Sequence, residues 1–275
     1  MDTRIPECIR PVLNDYLLLL QIELPGLIEG FYIHGSIALN AFNPYLSDID
    51  FITILIQRAT TSEVKKLKAV HKKLELSYPQ WKLEGSYLLL EDVGREQQEI
   101  APYPYYHDRD LHSAGYHDIN QATWWVLKHR GICLIGVPPE NLAFTVDWNL
   151  LQRKMKENLN SYWVSWTRSP SKLAYLLTDS GVEWAVLGVL RLFYVLREHE
   201  ILSKTEAGRY ALVHLPPKCH QLIQEAINLR EIRHGSSYRS KVSRAVEAVR
   251  FLRYVITPGS LIFFGVREIA EKQKS

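Results

Sequence analysis

The fold of this chain is decided by residues 30–55, which read G-F-Y-I-H-G-S-I-A-L-N-A-F-N-P-Y-L-S-D-I-D-F-I-T-I-L. An aromatic and β-branched run leads to Gly35-Ser36, and a polar loop then leads to Asp48-Ile49-Asp50, which opens a second apolar run. Apolar runs bounded by turn residues predict two strands, here joined by a turn and a helical loop.

The two aspartates of this stretch are expected to act together. Residues two apart on a strand project to one face, so Asp48 and Asp50 point together while Ile49 points into the core. Two parallel carboxylates repel each other unless a cation lies between them, and Mg²⁺ prefers such oxygen ligands. Gly35 lets the backbone approach a ligand, and Ser36 offers a hydroxyl and an N–H at an expected helix start, which suits a phosphate. The alternative is a solvated turn that carries two carboxylates.

The 275-residue chain has an ordinary globular composition, with 47% hydrophobic and 23% charged residues. Its three cysteines are widely spaced, so no disulfide framework or zinc site is predicted, and a reducing compartment is expected. Neither a signal peptide nor a membrane span is recognisable, and a cytoplasmic location without a membrane partner is therefore expected.

Charge is unevenly distributed along the chain. The net charge of +3 gives little reason to expect a nucleic-acid partner. Acidic residues outnumber basic ones in 1–147, and basic residues outnumber acidic ones in 148–275. This asymmetry suits an acidic wall for metals or a cationic substrate and a basic wall for a polyphosphate, although basic residues scattered over a solvated helical surface fit equally well.

Periodicity predicts a mixed first part and a helical second part, with the boundary at about 138–148. Glu84 lies on a third predicted strand beside the Asp-x-Asp strand, and the alternative to a functional role is an edge-strand glutamate in water. Residues 101–118 have little periodicity and predict a long loop that lines a substrate site or packs between domains. Two helices are predicted from capping boxes: one begins at Thr60 and Glu63, and the other runs from Ser203 and Glu206 to about 214. Periodicity predicts further helices over 7–24, 120–129, 149–166, 181–199, 218–231 and 239–256. A short strand is predicted after Gly131.

Two cations of the helical part stand out. Arg191 lies in A-V-L-G-V-L-R-L-F-Y-V-L, where a largely buried guanidinium needs an anionic partner. Lys204 lies in the first turn of a helix, where a cation is unfavourable unless an anion such as phosphate is nearby. An internal ion pair of Arg191 with Asp179 or Glu183 is the alternative.

The order strand, Gly-Ser, about a dozen residues and Asp-x-Asp resembles the DNA polymerase β-type nucleotidyltransferase superfamily. Over most of its length the chain resembles, more narrowly, the streptomycin/spectinomycin adenylyltransferase family. This resemblance implies an α+β protein with a nucleotidyltransferase domain over 1–147, built on a small mixed β-sheet with flanking helices, and an α-helical bundle over 148–275. In that family, ATP and the antibiotic bind between the two domains.

The resemblance also implies roles for individual residues. It makes Asp48 and Asp50 catalytic metal ligands and Glu84 the catalytic base, a third metal ligand or both. It implies nucleotide binding by Gly35, Ser36, Arg191 and Lys204. Trp163 and Trp166 represent a longer and more basic version of the family's tryptophan-rich segment, and Tyr116 stands where the family tends to have a tryptophan. Acceptor contacts are assigned to Tyr116, Trp166 and Asp179, and Asp108, Asp110 and Asp118 are further candidates to meet a cationic acceptor.

The resulting expectation is an ATP- and Mg²⁺-dependent nucleotidyltransferase. It would adenylylate a hydroxyl of a small polar acceptor, most simply an aminoglycoside-type antibiotic. One alternative keeps the chemistry but makes a protein side chain the acceptor, as in nucleotidyltransferase-type toxin–antitoxin systems. Another is a catalytically inactive nucleotide-binding module.

Overall fold

The structure, a computed structural model, describes residues 2–233 and 235–256. The chain divides into two compact units, Met1–Asp147 and Trp148–Ser275. Each unit buries apolar side chains in cores of its own. The expected second domain runs to residue 275, and its last part, 257–275, lies outside the described residues.

The first unit is built on a six-stranded mixed sheet with the order β5-β4-β3-β2-β1-β6. β2 and β3 are parallel, whereas the other neighbouring strands are antiparallel. The predicted α+β class is therefore confirmed. The strands are β1 Ile28–Ile33, β2 Ile49–Leu55, β3 Leu83–Leu89, β4 Tyr103–His107, β5 Asp110–Gly115 and β6 Ile132–Ile135.

Helices pack against this sheet, and the third of them begins where its capping residues predict. At the start of the third helix, the Glu63 N–H donates to Thr60 Oγ1 at 3.3 Å and the Thr60 N–H donates to Glu63 Oε2 at 2.7 Å. This reciprocal pair is the predicted capping box. The helices of the unit are α1 Arg10–Glu23, α2 Gly35–Ala38, α3 Thr61–Ser77 and α4 Gln121–Arg130.

The second unit is helical throughout its regular elements. The helix expected over 149–166 is confirmed as a continuous helical segment over 148–165, but it is not α-helical throughout, because a π-helical turn spans Leu159–Trp163. The ring of Trp163, the last residue of the π-helical turn, lies against Gly188, where a β-carbon would collide with it. The π-helical turn therefore occurs where this segment packs closely on the helix that contains Gly188. The helices are α5 Trp148–Asn158, α6 Pro170–Tyr175, α7 Asp179–Glu198, α8 Lys204–His214, α9 His220–Arg230 and α10 Lys241–Ile256.

The irregular loop predicted over 101–118 is wrong, since most of it forms the hairpin of β4 and β5. The turn consists of Asp108 and Arg109, with φ of 48° and 61°. Two consecutive residues with positive φ match the twist of a two-residue hairpin, but Asn-Gly is the usual sequence for it. Because Asp-Arg is not a typical sequence for such a turn, the sequence did not predict the hairpin.

A buried polar cluster lies between the sheet and α3. The Tyr87 hydroxyl is 2.5 Å from His71 Nε2 and 2.5 Å from the Tyr16 hydroxyl. All three side chains are almost fully buried. Burial lowers the pKa of His71 to about 3, so this histidine is neutral in the folded protein at ordinary pH.

We expect this neutral histidine to make the first unit acid-sensitive. Below about pH 6.5 the unfolded chain binds a proton at His71, whereas the folded protein keeps this histidine neutral. The free energy of unfolding therefore decreases by about 1.4 kcal/mol for each unit by which the pH is lowered. Denaturant unfolding of His71→Gln should show a correspondingly smaller loss between pH 6.5 and 4. An unchanged slope in His71→Gln would contradict the assignment.

Candidate active site

The three carboxylates predicted to act together lie at one end of the sheet. Asp48 directly precedes β2, and Asp50 is the second residue of that strand. The parallel register of β2 and β3 places Glu84 directly opposite Asp50. The parallel pairing therefore brings together residues that are far apart in sequence.

Asp50 is held in a strongly acidic environment. Burial raises its pKa well above the usual range, and the charges of Asp118, Asp48 and Glu84 raise it further. A hydrogen bond from the Ser36 backbone N–H acts in the opposite direction. An ionised Asp50 is thus costly unless a cation compensates for it, which fits the oxygen-ligand chemistry of Mg²⁺.

Gly35 permits the close approach of the backbone to Asp50. Its φ of 58° is left-handed, and a β-carbon built on it would overlap the Asp50 carboxylate. The preceding His34 N–H donates to the Asp50 carbonyl oxygen at 3.0 Å. The backbone around Gly35 therefore fixes the position of Asp50.

Gly35→Ala should destabilise the protein by clearly more than the strain of its left-handed backbone, which costs about 1–2 kcal/mol. The added methyl group must also displace the Asp50 carboxylate, so turnover should fall with it. Gly26→Ala is the matched control, since Gly26 has φ of 76° but nothing within 4 Å of its β-carbon position. Equal losses of unfolding free energy in the two variants would show that the collision with Asp50 is not costly.

Ser36 lies beside this backbone, in the single turn of α2. Its Oγ is buried and has no hydrogen-bond partner among the residues that the structure describes. A buried hydroxyl without a partner is costly, and a ligand oxygen would satisfy it. The serine is thus suited to the predicted phosphate contact.

Three further residues complete the acidic end of the sheet. Asp118, which sequence analysis proposed only as a contact for the acceptor, lines the same small cavity as Asp50, Glu84 and His117. Burial raises the pKa of Glu84, the charge of Asp48 adds to this, and His107 opposes it. His107 Nδ1 lies 3.1 Å from Glu84 Oε1, and His117 Nε2 lies 3.9 Å from Glu84 Oε2. Sequence analysis missed both histidines, although their hairpin is rich in histidine.

In the second unit, a cluster of cations surrounds the buried Glu183. Lys204 Nζ lies 3.4 Å and Arg230 Nη1 lies 3.3 Å from Glu183 Oε1. Burial lowers the pKa of Lys204 to about 8; Glu183 opposes this shift, and Arg230 and Arg191 add to it. The structure therefore brings the predicted pair Arg191 and Lys204 together and adds Arg230, which sequence analysis missed. Lys204 and Arg230 share the Glu183 carboxylate, and Arg191 lies close enough to lower the pKa of Lys204.

The residues assigned to the acceptor differ in burial and in their contacts. Trp166 is only 3% exposed and packs in the helical core, which leaves almost no ring surface for a ligand. Tyr116 is 42% exposed and donates its hydroxyl proton to the Ile100 carbonyl oxygen at 3.0 Å. Asp179 lies at the start of α7 and pairs with Arg244 at 2.5 Å. The structure thus favours a packing role for Trp166.

Asp108 and Asp110 lie at the turn end of the β4–β5 hairpin. The Asp108 side chain is 83% exposed and lies 3.3 Å from His107 Nε2. Asp110 pairs with Lys68 at 2.7 Å on the surface. Of the three additional aspartates, only Asp118 lines the cavity that contains Asp50.

A mixed sheet that presents Gly-Ser beside Asp-x-Asp and a glutamate on the next parallel strand is typical of nucleotidyltransferases. Comparison with known proteins agrees with this class. Residues 161–257 match the family model of the aminoglycoside adenylyltransferase C-terminal domain. The protein is thus aminoglycoside adenylyltransferase-like, as the sequence predicted, and the comparisons support a nucleotidyltransferase enzyme.

The chain is similar in fold to spectinomycin adenyltransferase AAD(9) from Enterococcus faecialis, whose crystal structure contains ATP and spectinomycin. The TM-score is 0.63 at 13% sequence identity, over 90% of this chain and 98% of that chain. No match to a curated protein was found. Within 2–233 and 235–256, no helix has the length and apolar character needed to cross a membrane.

Proposed function

We propose that this protein is an ATP- and Mg²⁺-dependent adenylyltransferase that modifies a hydroxyl of an aminoglycoside-type acceptor. The observation that supports it best is the convergence of Asp48, Asp50 and Glu84 at one end of the sheet. Ser36, with its buried hydroxyl, is the neighbouring group suited to a phosphate.

Asp48 and Asp50 are the residues that would hold Mg²⁺. When bound, Mg²⁺ neutralises phosphate charge and the charge that develops on the leaving pyrophosphate. The protein's own contribution is to hold the Asp50 carboxylate against the Gly35 backbone, so that its position is set before any ligand binds.

Glu84 is the proposed general base. A carboxylate whose pKa is raised toward neutrality removes a hydroxyl proton more effectively than an ordinary one, provided that it is still ionised. Burial and the charge of Asp48 raise the Glu84 pKa in this way. The acceptor hydroxyl would give its proton to this carboxylate as its oxygen attacks the α-phosphorus and pyrophosphate leaves.

The excess carboxylates also suit the proposed acceptor. Aminoglycosides carry ammonium groups, which an acidic surface attracts. Asp118 lies close enough to Asp50 to raise its pKa, and Asp108 is exposed at the hairpin turn. These two are the aspartates that we propose to meet a cationic acceptor.

The direct test is pyrophosphate release by the purified protein with ATP and Mg²⁺, measured with and without a panel of aminoglycosides. We expect release only with an accepted compound and a mass gain of one AMP on that compound. AMP found on a protein would instead identify a protein side chain as the acceptor. Absence of ATP binding would overturn the proposal.

The cationic cluster around Glu183 is proposed to bind the triphosphate. Arg191→Ala and Lys204→Ala should each weaken ATP binding by about 10–100-fold, since charge-assisted hydrogen bonds contribute about 1.5–3 kcal/mol. Because Lys204 has a pKa of about 8, the wild-type affinity should also fall as the pH rises above that value.

Calorimetric titration measures these affinities, and α7 provides a matched control. Arg197 stacks on Phe193 near the end of the same helix, so Arg197→Ala should bind ATP like the wild type. Unchanged affinity in a folded Arg191→Ala protein would remove Arg191 from the nucleotide site.

A further inference from the structure

We propose that Glu84, His107 and His117 form a second metal site, specific for a borderline divalent cation such as Zn²⁺, and that its occupation inhibits the enzyme. The three side chains offer one carboxylate oxygen and two imidazole nitrogens that lie within 4.8 Å of one another. The residues come from β3, the end of β4 and the segment after β5. The inhibition, but not the binding, rests on the proposed function.

The spacing of the ligand atoms suits a single ion. Zinc bonds of about 2.0–2.1 Å in a tetrahedral site place neighbouring ligand atoms about 3.4 Å apart. The Glu84 carboxylate lies 3.1 Å from His107 Nδ1 and 3.9 Å from His117 Nε2. Side-chain rotations that bring the three ligand atoms, which lie within 4.8 Å of one another, to the tetrahedral spacing give a three-ligand site with one position open.

The environment of His107 favours metal binding through Nδ1. This nitrogen is buried and makes no well-aligned hydrogen bond within the described part of the chain, although it faces Glu84. The other ring nitrogen, Nε2, lies 3.3 Å from Asp108 Oδ2. Metal-binding histidines usually donate their second N–H to a carboxylate, which fixes the tautomer and orients the ring.

Hydrogen bonds to the backbone groups of His117 fix the position of this residue. Its carbonyl oxygen accepts hydrogen bonds from Ser86 Oγ at 3.1 Å and from the Tyr103 hydroxyl at 3.0 Å. Its N–H donates to the same Tyr103 oxygen at 2.9 Å, and its ring stacks on Tyr105 with centroids 5.3 Å apart. The ligand is therefore positioned before a metal arrives.

The donor set distinguishes this site from the Mg²⁺ site. Two imidazoles with one carboxylate are ligands typical of zinc and other transition metals, whereas Mg²⁺ prefers oxygen alone. The two sites nevertheless meet at Glu84. A cation bound to its carboxylate occupies the lone pair that would otherwise accept the acceptor's proton, and turnover is therefore lost.

The binding test uses Co²⁺ as a spectroscopic probe of the tag-free, full-length protein, without ATP or Mg²⁺. We expect one equivalent of Co²⁺ with the strong visible absorption of a four- or five-coordinate ion, displaced by Zn²⁺. His107→Ala and His117→Ala should each weaken binding by more than about 100-fold. The control is His112→Ala, which removes a ring stacked on Tyr105 and should leave binding unchanged.

Two further variants separate this site from the aspartates. Asp48→Asn should keep the Co²⁺ spectrum, because Asp48 is not a proposed ligand of this site. Asp108→Asn should weaken binding by about tenfold, since it removes the charge beside His107 Nε2. Asparagine tolerates the left-handed backbone of residue 108, so folding should be preserved. A spectrum lost in Asp48→Asn but kept in His117→Ala would overturn the proposal.

Inhibition is measured separately. Zn²⁺ should suppress pyrophosphate release by the wild type, and His117→Ala should require at least about 100-fold more Zn²⁺ for the same effect. Equal inhibition of both proteins would refute the regulatory role. If the protein releases no pyrophosphate at all, the proposed function fails while the Co²⁺ titration still decides the metal site.

Discussion

Asp50→Asn should lower turnover by about three orders of magnitude or more and, in metal-free buffer, raise the unfolding temperature. The loss of turnover is expected because stabilisation of transition-state charge by a bound metal contributes several kcal/mol, and each 1.4 kcal/mol is about tenfold in rate. The gain in stability is expected because the substitution removes a carboxylate whose ionised form is disfavoured by burial and by the charges of Asp118, Asp48 and Glu84.

An Asp50→Asn protein with lower turnover and a higher unfolding temperature is folded, so unfolding would be excluded as the cause of its inactivity. In the variant, the amide oxygen of the substituted side chain can still accept the hydrogen bond from the Ser36 N–H, so the local backbone should not change. Asp110→Asn serves as the stability control, since it removes an exposed carboxylate that pairs with Lys68 and should not raise the unfolding temperature.

Metal binding gives an independent readout of the same assignment. A ligand present at 100 times its dissociation constant stabilises a folded protein by about 2.7 kcal/mol. Mg²⁺ with a non-hydrolysable ATP analogue should thus raise the unfolding temperature of the wild type, and this rise should be much smaller for Asp50→Asn. Wild-type turnover in the variant would remove Asp50 from the metal site.

The parts of the site that sequence predicts depend on local signals. Asp48 and Asp50 share a strand face because side chains alternate along any strand, and the apolar run after them indicates that strand. The capping box of Thr60 and Glu63 likewise depends on a spacing of three residues. Such features need no knowledge of the tertiary structure.

The residues that sequence missed are brought in by tertiary packing. Arg230 ends α9, 47 positions after the carboxylate of Glu183 that it contacts. His107 and His117 reach Glu84 only because β3, β4 and β5 are neighbours in the sheet. The turn at Asp108 that creates this arrangement lacks the glycine or asparagine that would reveal it. No local pattern in the chain indicates these contacts.

Glu84→Gln provides the sharpest test of the chemistry. A positioned base typically contributes about 10²–10⁴-fold to the rate, so turnover should fall by that factor while the protein stays folded. Glutamine keeps the shape of the side chain, and the strand pairing of residue 84 with Asp50 is made by the backbone. Glu91→Gln, an exposed substitution just after the same strand, is the matched control and should retain turnover.

The affinity of the same variant for Mg²⁺ and the ATP analogue separates the two roles assigned to Glu84. A residue that acts only as the base leaves this affinity unchanged, because proton transfer occurs after the nucleotide has bound. A residue that also holds Mg²⁺ weakens it, since the variant lacks one ligand charge beside Asp48. A Glu84→Gln enzyme with wild-type turnover would exclude both roles. Asp118 would then be the next base to test, because it lines the same cavity as Asp50, ahead of Asp108 and Asp110 at the hairpin turn.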